Sequence, residues 1–102
     1  MDMNRILKQA QQMQRKVEEA QKKLAASTVE GSAGGGAVTL TLTGEHDLQS
    51  IKISPEAVDP QDVATLEDLI MVAFNDANEK LAALTEEIMG PIAGGMNIPG
   101  LM

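Results

Sequence analysis

Cysteine, tryptophan and tyrosine are absent from this chain of 102 residues, and Phe74 is its single aromatic side chain. Without thiols there is no disulfide and no thiolate metal site, and nothing in the chain points to an oxidising compartment. With one aromatic side chain, stacking against unpaired nucleic-acid bases is nearly excluded as a binding mode. Long apolar runs are missing too. The longest, LIMVAF at 69–74, falls far short of the roughly 20 residues a membrane-spanning helix needs. The N-terminus carries charge from Asp2 onward, with no apolar stretch of signal-peptide length. These absences predict a soluble cytoplasmic protein with no membrane partner. What remains is 43% apolar, enough for one domain with a small core of aliphatic residues and methionines. A core of that size is marginal by itself, which favours a partner subunit.

Positive charge is scarce and concentrated. Eight basic residues face fifteen acids, for a net charge of −7. Residues 1–26 hold six of the cations and three acids, a balance of +3, while residues 27–102 hold two cations and twelve acids, a balance of −10. The overall sign therefore misleads, because a polyanion meets a local face and exposed charges are screened beyond about 8 Å at physiological salt.

Periodicity organises the chain. Met3, Ile6, Ala10, Met13, Val17, Ala20 and Leu24 are spaced alternately three and four apart, the repeat of a coiled-coil seam. With these at the a and d positions, Lys8, Arg15 and Lys22 all fall at f, opposite the seam, and Lys16 and Lys23 fall beside them at g. Next, Val38, Leu40 and Leu42 alternate with threonines, and Ile51 and Ile53 alternate with Ser50, Lys52 and Ser54, which predicts half-buried strands. Residues 44–47 supply the turn between them. A weaker strand over 27–33 would pair through the Gly34-Gly35-Gly36 corner, completing an antiparallel meander with one apolar and one threonine-rich face. Pro55 and Pro60 then stand behind Ser54 and Asp59 as helix-start signals. From Pro60 to Met89 nothing breaks a helix whose apolar stripe runs Val63, Leu66, Ile70, Phe74, Ala77, Leu81, Leu84 and Ile88, until Gly90-Pro91 is expected to end it.

The predicted fold is α+β, in the order α-β-β-β-α, with one domain over residues 1–91 and a flexible Gly/Met/Pro tail over 92–102. Its Ile92, Met96, Ile98 and Leu101 are able to dock on a partner. A sheet this small cannot bury both helical stripes, so the first helix is expected to use its seam to hold two copies together as a homodimer.

Catalysis finds no foothold. His46 is the only histidine and lies in a predicted turn without a nucleophile nearby. Glu45, His46 and Asp47 are consecutive turn residues that do not converge on a metal ion. The glycines of 31–36 fit neither phosphate-loop pattern and precede a strand, where a hairpin corner accounts for them. The acid pairs at 67–68 and 86–87 read as solvated helix surface. The expectation is a protein without enzymatic activity, cofactor, metal or small-molecule substrate.

The basic stripe has two readings. Glu18 and Glu19 stand four residues before Lys22 and Lys23, so those lysines serve in part to support the helix through pairs worth about 0.2–0.5 kcal/mol each. Between Asp2 and Glu18, however, there is no acid, and Arg5, Lys8, Arg15 and Lys16 stand among Asn4 and four glutamines that also hydrogen-bond phosphate. This span is roughly 22 Å of helix, the length of six or seven base pairs at about 3.4 Å each. A double-stranded DNA backbone fits it. The alternative is a dimeric adaptor for other proteins, whose basic face serves solubility alone.

The succession LKQAQQMQ at 7–14, VEGSAGGGAV at 29–38, IKISPEAV at 51–58, LEDLIMVAFNDA at 66–77 and MGPIAGG at 89–95 resembles the YbaB/EbfC family of bacterial nucleoid-associated proteins. The likeness spans nearly the whole chain. It implies a homodimer with helical arms protruding from a central sheet, binding double-stranded DNA with little sequence preference and organising the nucleoid. Carried onto this chain, the implied DNA contacts are Arg5, Lys8, Arg15 and Lys16, with Lys22 and Lys23 as lesser candidates. The chain departs from the family pattern at Thr39, Asn78 and Glu79, where basic residues are common. The segment from Asp62 to Glu87 carries seven acids and Lys80, so the first helix is left as the expected phosphate contact.

Overall fold

The computed structural model describes residues 2–95, in the order α1 (Met3–Ala25), β1 (Thr28–Ala33), β2 (Val38–Thr43), β3 (Leu48–Ile53), a single 3-10 turn (Pro55–Ala57) and α2 (Val63–Gly95). The strands form one antiparallel sheet with β2 in the middle. This is the α-β-β-β-α arrangement that the period changes predict.

The hairpins follow from local chemistry. Gly34, Gly35 and Gly36 all take positive φ at the β1–β2 corner, a region open to glycine because it lacks a Cβ. At the β2–β3 turn the Thr43 hydroxyl accepts the backbone N–H groups of Glu45 and Asp47, both at 3.2 Å. His46 occupies that turn with φ 68°, a conformation for which histidine is enriched among non-glycine residues.

Period 2 then sorts the strands. Val38, Leu40 and Leu42 turn to one face and are buried, whereas Thr39, Thr41 and Thr43 turn to the other. Helix α2 lies across that buried face with Ala73, Ala77 and Leu81 fully enclosed, and Leu24, Val29, Leu66, Leu69 and Ile70 pack around the cluster. The approach is close because the facing positions of β1 are Gly31 and Ala33, opposite Leu40 and Val38. A Cβ on Gly31 would run into the Ala73 carbonyl oxygen and the backbone nitrogen of Ala77. Helix and strand are also clasped at the sheet edge. Asp76 Oδ2 accepts the Ser32 N–H at 3.0 Å, and Lys80 Nζ donates to the Glu30 carbonyl at 3.0 Å while pairing with Asp76 Oδ2 at 3.1 Å.

Strand β3 falls outside this cover. Ile51 and Ile53 sit opposite Leu40 and Val38 in register, so they share the apolar face, yet they are 43% and 36% exposed. A register shift at Thr41/Leu42 sets Leu48 across from Leu42 on the same side, where it too stays exposed.

Helix boundaries depart from the sequence expectation at both ends of α2. Asp59 does not cap a helix at Pro60. Its carboxylate accepts the Gln61 N–H at 2.9 Å in a turn, and α2 starts at Val63 behind Asp62, whose carboxylate accepts both the N–H and the hydroxyl of Thr65. At the far end Gly90-Pro91 does not terminate the helix, which runs through to Gly95. Proline removes one hydrogen bond and crowds the preceding turn, yet the helix continues past it, with Pro91 exposed and Ile92 half-buried at the rim of the crevice that α2 shares with α1. Residues 96–102 of the expected tail lie outside the described residues.

The seam of α1 is also used differently from expectation. Ala20 is buried and Met13, Val17 and Leu24 are half-buried, and α1 packs on α2 of the same chain. Leu24 reaches the core that contains Leu81 while residues 16–20 lie against 84–92, so the two helices run antiparallel. The half of the seam assigned to a subunit contact is thus satisfied within the chain. Met3, Ile6 and Ala10 remain exposed.

Two outcomes follow. Replacing Gly31 by Ala is expected to cost about 2–3 kcal/mol of stability in urea denaturation, because backbone atoms of α2 must move to admit the methyl. The Ser32 N–H and then the Lys80 ammonium hold the Asp76 carboxyl below its ordinary value of 3.8. A lowered folded-state pKa stabilises above the unfolded value, and that contribution is lost as pH falls through the folded one. Asp76→Asn should therefore be less stable than wild type near neutrality, with the difference closing below about pH 4 in denaturation curves.

Candidate nucleic-acid interface

Helix α1 forms because 23 residues pass without glycine or proline. Asp2 caps it, accepting the Asn4 N–H at 3.1 Å, and Lys22 and Lys23 stand in its last turn, where cations are favoured by the helix dipole.

All six expected cations, Arg5, Lys8, Arg15, Lys16, Lys22 and Lys23, are exposed. Among the described residues the only ion pair is Lys80 with Asp76, so none of the six is tied to a carboxylate. The anticipated Glu18–Lys22 and Glu19–Lys23 pairs do not close, as exposed side chains gain little from ordering in screened solvent.

The stripe divides in two. At about 100° per residue, Lys8, Arg15 and Lys22 fall within a sector about 40° wide, and Arg5, Lys16 and Lys23 fall roughly 90° away. Lys16 and Lys23 line a crevice of about 490 Å³ between α1 and α2, floored by Ala20, Leu84 and Ile88 and shared with Glu19 and Glu87. The first row faces away from it. From Arg5 to Lys23 the cations extend over about 27 Å of helix. The sequence shows both rows, but the placement of Glu87 beside the second is set by how α2 crosses α1. Its signal in the sequence is indirect: Glu87 adjoins Ile88, on the stripe that packs.

The molecule measures 72 × 27 × 16 Å, and the paired helices project from the sheet as an arm. The second cleft lies where the Gly34–Gly36 corner meets the start of α2 and is ringed by Glu56, Asp59 and Asp62, carboxylates that repel phosphate. Of the remaining acids of α2, Glu67, Asp68, Glu79 and Glu86 are exposed, and Asp76 is held in its clasp on β1. His46 is exposed in its turn, and among the described residues no cluster of histidine, aspartate and glutamate is arranged to hold a metal. No helix among them is long and apolar enough to cross a membrane.

Comparison with known proteins adds to this geometry. The sequence model of the YbaB/EbfC DNA-binding family matches residues 1–96. A nucleoid-associated protein of Corynebacterium jeikeium is 51% identical over 96 residues, covering 94% of this chain and 92% of that protein. One from Chloroflexus aurantiacus is also 51% identical over 96 residues, covering 94% and 96%. Among solved structures, an uncharacterized protein from Helicobacter pylori superposes with a TM-score of 0.70 over 94% of this chain and 97% of that one, at 21% identity, a likeness of fold.

Proposed function

This chain belongs to the YbaB/EbfC DNA-binding family, and from that premise we propose that it is a nucleoid-associated protein that binds double-stranded DNA as a homodimer, through phosphate contacts and with little sequence specificity. The observation that carries the reading is the outer row of α1: Lys8, Arg15 and Lys22 are exposed and without an ion-pair partner among the described residues. Long cationic side chains on a helix surface neutralise phosphates and release counterions, which gives affinity without reading base edges.

The dimer is supported by surface left uncovered. Leu48, Ile51 and Ile53 on β3, with Met71 and Phe74 on α2, are 36–62% exposed. A second copy covering them would bring two arms to one duplex. The same apolar surface favours a rival reading, an adaptor for other proteins that leaves DNA untouched.

A gel shift with random-sequence duplex separates the two. With about two to four phosphates engaged per arm, the slope of log K against log salt is expected near −4 to −7. Lys8→Glu combined with Arg15→Glu should abolish the shift and leave the sedimentation coefficient unchanged; a retained shift would remove α1 from the interface. Ile51→Asp should convert the protein to a monomer in sedimentation and weaken the shift, since a single arm loses the gain from double engagement.

A further inference from the structure

The two rows of cations on α1 have different company. The outer row faces solvent, whereas Lys16 and Lys23 share their crevice with Glu19 of α1 and Glu87 of α2. Glu87 is exposed and forms no ion pair among the described residues. Its charge is therefore left to act on whatever approaches those lysines.

We propose that Glu87, assisted by Glu19, is a built-in brake on DNA affinity, opposing any phosphate that approaches Lys16 and Lys23. The proposal rests on the reading of α1 as the DNA-contacting helix and names the residues that limit that contact. A phosphate drawn to either lysine enters the crevice within about one screening length of the Glu87 carboxylate, so repulsion offsets part of the attraction. Each such carboxylate weakens binding by a factor of about two to three at low salt, and two copies in a dimer compound it. The outer row is turned from Glu87, and its nearest carboxylates are those of its own helix, Glu18 and Glu19, which stand three and four residues from Arg15 and Lys22. What sets Lys16 and Lys23 apart is the further charge that the second helix brings alongside, and by it they are held in reserve.

The test is fluorescence anisotropy of the full chain with a random-sequence duplex at low and high salt. Glu87→Gln is isosteric and exposed, and circular dichroism checks its helix content. It is expected to bind about three- to tenfold tighter than wild type at low salt, with the gain shrinking as salt rises. Glu67→Gln makes the same charge change about 30 Å away along α2 and should leave affinity unchanged. Adding Lys16→Gln and Lys23→Gln to Glu87→Gln should cancel the gain. The brake is overturned if Glu87→Gln binds no tighter, if Glu67→Gln gains as much, or if the gain survives loss of both lysines. A wild type that binds no duplex overturns the DNA reading and the brake with it, whereas a binding wild type with an indifferent Glu87→Gln overturns the brake alone.

Discussion

The close seating of α2 on the first two strands is the constraint from which the rest of the molecule follows. Gly31 and Ala33 of β1 present almost no side chain, and Ala73 and Ala77 answer from the helix, so the backbones approach until a single added methyl would collide. Close approach multiplies the contacts that Val38, Leu40, Leu42 and Leu81 make, and these small dispersion terms together hold a core built of alanine, valine, leucine and isoleucine, with Phe74 left at the surface. The Asp76–Lys80 clasp on Ser32 and Glu30 then fixes the helix against the edge strand.

With its first half committed to the sheet, α2 has about four turns left over, and these become the rail along which α1 lies. How the basic helix is presented is set by that choice. The dry half of the α1 seam turns toward α2, its opposite side must face solvent, and the cations placed there by the heptad spacing are presented along an arm instead of being absorbed into the acidic body. The same seating leaves β3 bare, because one helix is too narrow to shelter three strands. An uncovered apolar strand and an outstretched basic arm thus share a single geometric origin.

Charge follows a similar logic. A chain of net charge −7 can offer a cationic face only if its acids are kept at a distance, and here most of them sit on α2 and around the glycine corner. The separation is incomplete where Glu87 and Glu19 meet Lys16 and Lys23. The attraction of each cation for an anion is offset according to how far it stands from the nearest carboxylate, on the scale of the screening length.

Most of the architecture is legible in the residues themselves. The change from a seam with spacings of three and four to strict alternation marks where α1 gives way to strands, and the Gly34–Gly36 corner is visible because only glycine occupies three successive positive-φ sites at no cost. The boundaries of α2 were less legible. Asp59 and Asp62 both accept a following N–H, but the first closes a turn and only the second stands at the start of the helix; at Pro91 the helix runs on through a local breaker. Periodicity likewise exposes the α1 seam but says nothing of what covers it.

The order of elements, the apolar and polar side of each, and the gathering of cations on one helix are all written in the residues, because they depend on spacing along a single chain. It takes the folded chain to show that α2 covers half of the α1 seam, that β3 stays open, and that Lys16 and Lys23 share a crevice with Glu87. Those outcomes depend on the crossing of elements distant in sequence, which is fixed by how closely small residues let a helix approach a strand.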